Sequence, residues 1–236
     1  MAQMVEMEKL TPMMRQYFEV KNQYQDCILM YRLGDFYEMF FDDALVASKV
    51  LDITLTGRNC GMEERAPMCG VPYHAVDGYV ARLVAAGYSA AICEQAEDPA
   101  TAKGIVKREV IRVVTPGTIM DTAALDAGKN NYLCSISVGE KGAGLAFVDI
   151  TTGECAAHEI DQEDFTACLL NELAKYMPIE VIMNLRGYEN TGLVQDIRDK
   201  TRGVVRNYYD WAYAQDEARK KAAVQFGSLE EVSLGD

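Results

Sequence analysis

The chain has 236 residues and a formal charge of −13, with 49% of its residues hydrophobic and 25% charged. That balance belongs to a folded protein of one large or two ordinary domains, and the acid excess excludes a chain-wide electrostatic grip on nucleic acid. No apolar run reaches the roughly 20 residues of a membrane-spanning helix, and the stretch Met1–Lys9 lacks the basic start and apolar centre of a secretory signal. A protein of the cytoplasm with no membrane partner is expected. The charge is uneven, about −4 over residues 1–120 and about −9 over the rest, so any contact with a polyanion falls to the first half. Seven scattered cysteines, odd in number and without a Cys-x-x-Cys pair, read as reduced, mostly buried hydrophobes. His74 and His158 lie at no metal-ligand spacing, so no structural metal site is expected.

Thr11-Pro12 is a helix start, with Thr11 as cap and Pro12 at the first helical position. Met14, Tyr17 and Phe18 then predict an amphipathic helix over 12–22. The run Cys27-Ile28-Leu29-Met30-Tyr31 predicts a buried strand to residue 33. Next comes Gly34-Asp35-Phe36-Tyr37-Glu38-Met39-Phe40-Phe41-Asp42-Asp43, crowded with rings and carboxylates. Extended alternation puts Phe36, Glu38 and Phe40 on one face, and Tyr37, Met39 and Phe41 on the other. A ring and an acid thus project together just after a turn, and a core would take the first but not the second.

Asp42-Asp43 are expected to cap a second helix, and Ile53–Thr56 to form a strand. The polar loop 57–65 joins it to a return segment, Ala66–His74, whose two prolines and glycine argue against a central strand. A helix over 75–86 ends at Gly87, and strands follow at 89–93 and 107–114. Strands and helices alternate, so the first unit is a mixed-sheet α/β domain.

Thr115-Pro116-Gly117-Thr118 is strong turn punctuation, and a linker is placed at 121–130 between domains at 1–120 and 131–236. Three strand-like runs, 132–138, 144–150 and 154–160, are joined by short glycine-containing links and form an antiparallel meander. A helix over 162–176, a strand from Ile179, a helix near 191–200 and a strand at 203–205 complete a ribonuclease-H-like layout, which is architecture and not function. A last apolar-periodic segment runs from Tyr213 to Phe226. The chain then stops at Asp236 without a closing element, as a piece of a longer protein would.

Among chemical constellations, Asp149 stands at the end of the first hairpin, where ribonuclease-H-type nucleases carry an acid. Two-metal cleavage needs three or four converging carboxylates, and beyond Glu154 and Glu180 the sequence offers Asp149 no obvious partner. A metal-dependent, resolvase-like nuclease using Asp149 is therefore the alternative reading. No G-x-x-x-x-G-K-[ST] loop is present, because Gly128-Lys129 lacks the earlier glycine. Neither histidine has a nucleophile nearby in sequence, so no catalytic residue is assigned.

Leu10-Thr11-Pro12-Met13-Met14, Tyr31-Arg32-Leu33-Gly34-Asp35-Phe36-Tyr37-Glu38 and Ala66-Pro67-Met68-Cys69-Gly70-Val71-Pro72-Tyr73-His74-Ala75 closely resemble the N-terminal part of the bacterial MutS family, which recognises DNA mismatches. Ile92-Cys93-Glu94-Gln95, Asp98-Pro99 and Val113–Thr118 match in the same order. The second half is similar more loosely, with Asp149–Glu154 its best marker. The resemblance implies a mismatch-binding domain followed by a ribonuclease-H-like connector domain. It implies that Phe36 enters the minor groove beside a mispaired base as the ring of a Phe-x-Glu motif, with Glu38 as its acid. Arg58, Tyr73 and His74 would approach the DNA backbone. It also implies a non-enzymatic fragment without cofactor. The full-length protein would be an ATPase using ATP and magnesium, a homodimer on mismatched duplex, a partner of MutL through the connector, and associated with the bacterial nucleoid.

Overall fold

The structure is a computed structural model, and it describes residues 9–97, 104–120, 130–162 and 164–227. The matched pair Asp98-Pro99, nearly all of the expected linker and the segment after Gly227 lie outside the described residues. The chain divides into two compact units that meet between Thr115 and Pro116. Among the described residues no helix is long and apolar enough to cross a membrane.

In the first unit, α1 (Pro12–Lys21) is followed by β1 (Cys27–Leu33), β2 (Phe36–Phe40), α2 (Phe41–Leu51), β3 (Thr56–Arg58), β4 (Ala66–Pro72), α3 (Val76–Ala85), β5 (Ser89–Gln95) and β6 (Arg108–Val114). The sheet order is β3-β4-β2-β1-β5-β6, with only β1 and β5 parallel. Because side chains alternate across a strand, one face of β1 and β2 presents Leu29, Tyr31 and Phe40 to Met14 and Tyr17 of α1. The other presents Met39 beside Cys69, where the Cys69 thiol contacts the Ala44 carbonyl of α2. Residues on both faces are fully buried, so β1 and β2 sit at the centre of this unit.

Four expectations need correction here. The strand expected at Ile53–Thr56 begins only at Thr56 and runs to Arg58. The proline-bearing segment is internal after all, lying between β3 and β2. Its pairing with β2 runs from Phe36↔Pro72 to Phe40↔Met68. Pro72 therefore sits at the last pair with β2, and Pro67 lies beyond the first of them while pairing with Gly57 of β3 on the other side. Phe41 does not continue the strand: with φ at +53° it turns the chain into α2, and its ring lies 5.1 Å from Phe18 on the α1 side. Finally, neither Asp42 nor Asp43 caps α2 with its side chain. Asp43 is buried, and accepts hydrogen bonds from Leu29 N at 2.9 Å, Lys21 Nζ at 2.9 Å and the Tyr17 hydroxyl at 3.5 Å. Burial pushes its carboxyl up against the opposing pull of Lys21, and the group ties α1, β1 and α2 together.

In the second unit, β7 (Tyr132–Val138), β8 (Ala143–Asp149) and β9 (Glu154–Ile160) form the antiparallel meander. They are followed by α4 (Thr166–Tyr176), β10 (Glu180–Met183), α5 (Leu185–Glu189), α6 (Thr191–Thr201), β11 (Val204–Asn207) and α7 (Gln215–Phe226). The order β11-β10-β7-β8-β9, with β10 parallel to both β7 and β11, is that of a ribonuclease-H-like sheet. Leu169 and Leu173 of α4 and Leu193, Val194 and Ile197 of α6 pack on Cys134, Ile136 and Phe147. The expected apolar periodicity of α7 buries no residue, and Val224 and Phe226 on it are exposed. His158 on β9 is half-buried beside the Phe147 ring, 3.3 Å from the Tyr176 hydroxyl.

Gly117 explains the turn Thr115–Thr118. Its N–H donates to the buried Glu180 carboxylate at 2.7 Å, and a Cβ there would lie 2.9 Å from Leu133 Cβ. Only glycine lets the backbone approach β7 and β10 this closely.

Candidate nucleic-acid interface

Gly34 and Asp35 alone connect β1 to β2, whose register begins at Leu33↔Phe36. Gly34 has φ at +59°, the value a type II′ hairpin turn places at its first central residue. The turn delivers Phe36 as the first strand residue, 48% exposed. Four residues on, Phe40 lies on the same strand face but is fully buried, its ring 5.1 Å from that of Tyr17. The difference is cover. Helix α1 lies over the Phe40 end of the face and leaves the Phe36 end open. On the opposite face Tyr37 and Met39 are buried, so an exposed ring stands on an anchored strand.

The hairpin tip is held from that opposite face by Arg32. Its Nε donates to the Gly34 carbonyl and its Nη1 to Glu94 at 3.0 Å. The guanidinium lies 3.9 Å from the centroid of the Tyr73 ring and 5.5 Å from that of Tyr37, both within the reach of a cation–π contact. Tyr37 donates its hydroxyl to Glu94. Burial first, then Glu94, push that hydroxyl up to about 12, so it stays a donor at neutral pH. The Tyr73 N–H donates to the Asp35 carbonyl at 2.9 Å. Arg32, Tyr37, Tyr73 and Glu94 thus form a mount beneath Phe36.

Tyr73 and His74 both lie at the surface, the rings edge to face at 5.8 Å. Tyr73 is joined to the Phe36 hairpin through Asp35 and Arg32. Among the described residues no hydrogen bond, ion pair or ring contact joins His74 to the hairpin. Glu38 pairs across the sheet with Tyr31 on one side and Gly70 on the other. Its carboxylate accepts a hydrogen bond from Arg58 Nη1 in an ion pair, with side-chain exposures of 14% for Glu38 and 37% for Arg58. Arg58, for which the resemblance implies an approach to the DNA backbone, is held here by the acid of the same motif. Neither this pair nor the Arg32–Glu94 pair is legible in the sequence, because each depends on the register of strands distant in the chain.

Asp149 has a different task from the one the nuclease reading gives it. It is fully buried, and its two oxygens accept from Asn131 N at 3.0 Å, Thr151 N at 2.9 Å, Thr151 Oγ1 at 2.6 Å and Thr152 N at 3.4 Å. Burial alone would raise its carboxyl, but these bonds, the Thr151 hydroxyl first, hold it below the usual aspartate value. Asp149 closes the β8–β9 turn and fastens the start of β7. Among the described residues no group of three or more His, Cys, Asp or Glu side chains could hold a metal ion.

Two units of this construction, the first with an exposed ring on a hairpin whose acid is ion-paired and the second ribonuclease-H-like, fit a modular nucleic-acid-binding protein. Comparison with known families agrees and is specific. Residues 11–123 match the model of MutS domain I, and residues 131–235 that of MutS domain II. The chain is 52% identical over 232 residues to the DNA mismatch repair protein MutS of Lachnoclostridium phytofermentans, covering 98% of this chain and 25% of that protein. It is 55% identical over 207 residues to the MutS of Ruminiclostridium cellulolyticum, covering 88% and 24%. With the MutS of Clostridioides difficile it shares 58% identity over 180 residues, covering 76% and 19%. The chain belongs to the MutS family of DNA mismatch repair proteins and comprises the family's domains I and II. It spans about a quarter of the length of these curated relatives.

Proposed function

We propose that this chain is the mismatch-reading part of a DNA mismatch repair protein, with Phe36 as the wedge. The exposed ring on the anchored β2 hairpin is the observation that carries this reading. A side chain inserted between base steps from the minor groove costs a few kcal/mol of unstacking, offset when the bent duplex meets more protein. A mispaired or unpaired base has already lost pairing and stiffness, so its step kinks at lower cost. The wedge therefore reads deformability rather than base identity, and a stiff mount makes the reading sharper. Arg32, Tyr37, Tyr73 and Glu94 provide such a mount.

Glu38 supplies discrimination. Its carboxylate can accept a hydrogen bond from DNA only where a displaced base offers a donor. Tyr73 and His74, at the surface on the Phe36 side of β4, are placed in this reading near the DNA backbone. The second unit serves as the connector through which MutL docks, and the exposed Tyr209 and Trp211 on it, the latter under Lys221 at 4.8 Å, suit a protein contact. The whole protein is read as a nucleoid-associated bacterial homodimer. Its parts beyond these two domains hold ATP and magnesium, and this chain's residues take no part in that chemistry.

The test uses the full-length protein on duplexes carrying different mismatches and single unpaired bases. Affinities should rank with the ease of opening the central step, measured independently by duplex melting. A ranking that follows base identity among steps of equal stability would overturn the reading.

A further inference from the structure

Arg58 reaches Glu38 across an intervening strand. Arg58 ends β3 and Glu38 lies on β2, with β4 between them. Arg58 is registered opposite Ala66 of β4 and Glu38 opposite Gly70, where a built Cβ would lie 3.5 Å from Glu38 Cγ. In the free protein the acid of the Phe-x-Glu motif is therefore neither bare nor loose. Its charge is cancelled and its position fixed by a cation that is itself more exposed than the acid it holds.

We propose that Arg58 is a specificity-determining residue that acts through Glu38 by exchange of partners. This rests on the wedge reading of Phe36 and Glu38. Against a paired duplex the ion pair stays closed, so Arg58 neutralises no phosphate. At an opened step the base takes over Glu38, and the released guanidinium turns to the backbone. One event then creates two contacts, and both are denied to paired DNA. A plain phosphate contact by Arg58 would strengthen binding to every duplex alike.

Salt dependence separates the two cases, because each neutralised phosphate adds about one unit to the slope of log affinity against log salt. Full-length wild type, Arg58→Met, Arg58→Lys, Glu38→Gln and the double variant Arg58→Met/Glu38→Gln are titrated on mismatched and paired duplexes. Arg58→Met is expected to make the mismatched slope shallower by about one and to leave the paired slope unchanged. Arg58→Lys, which keeps the charge, should keep the wild-type slope on mismatched DNA. Glu38→Gln should steepen the paired slope by about one, because it frees Arg58, and the double variant should lose that gain. Glu38→Gln reaches the same readout independently should Arg58→Met fail to fold.

Equal slope losses on both duplexes for Arg58→Met would mean a plain phosphate contact, and no loss on either would mean a pair that never opens. Both outcomes overturn the exchange. Phe36→Ala, run alongside, separates the two levels. If it retains the mismatch preference, the wedge reading fails and takes the exchange with it. If it loses the preference while the Arg58 slopes stay equal, the exchange alone fails.

Discussion

Phe36→Ala in the full-length protein is expected to bring affinity for mismatched duplex down to that for paired duplex while leaving the fold intact. Stacking of an aromatic ring on a base contributes about 1–3 kcal/mol, which corresponds to roughly a 5- to 150-fold loss on mismatched DNA. Stability should change by less than about 0.5 kcal/mol, as for a surface position, because the ring is half exposed at the hairpin tip. A core phenylalanine would behave in the opposite way, costing about 3–5 kcal/mol on truncation. The two measurements together therefore separate a reader from a packing residue. Retained preference, or a large drop in the unfolding midpoint, contradicts the assignment. Phe36→Leu keeps apolar volume without a stacking face and should fall between.

Asp149→Ala is expected to act on stability and on nothing else. Removing the acceptor leaves three backbone N–H groups and the Thr151 hydroxyl without their partner. Losses of this kind cost on the order of 3 kcal/mol where the donors stay buried. The β8–β9 turn and the start of β7 should loosen first, seen as faster amide exchange at Asn131 and Thr151. The same carboxylate sets a pH dependence. Its folded-state value is lowered, so its stabilisation is complete above the ordinary aspartate value of about 4 and drains as pH falls through the lower folded value. In Asp149→Ala that part of the acid sensitivity should disappear. Magnesium-dependent cleavage of nicked or branched DNA by wild type, lost in Asp149→Ala, would instead restore the nuclease reading.

Much of the fold was legible because local pattern and tertiary role agree. The run 27–31 is apolar on both faces, as a strand covered on both sides must be, and it pairs with β2 on one side and β5 on the other. The meander of β7, β8 and β9 followed from short glycine-bearing links. What escaped depended on distance or on a single dihedral angle. Phe41 reads as one more alternating residue until φ at +53° turns the strand into a helix. The prolines at 67 and 72 read as edge signals, and only the register shows that they lie at or beyond the ends of the pairing with β2. The five-residue helix α5 is too short for a periodic signal, although Asn184, which accepts from Gly187 N at 3.3 Å, was a readable cap.

The candidate site divides in the same way. The odd union of Phe36 and Glu38 on one face was visible from alternation alone. Why the ring stays open while Phe40 is buried was not visible, since that depends on how far α1 extends over the sheet. The partners of the site were hidden for a plainer reason. Arg58 stands 20 residues from Glu38 and Arg32 stands 62 from Glu94. No local pattern reports a cross-strand ion pair before the strand order is known.

The central claim is that the Phe36 ring enters the duplex where a base step has yielded. A photo-reactive benzoylphenylalanine in place of Phe36, in the full-length protein, tests this at the atom concerned. Irradiation on mismatched duplex should give a cross-link to a base at the mismatch or its neighbour, and little or none on paired duplex of the same sequence context. Cross-links of equal yield on both duplexes, or only to protein, would contradict it.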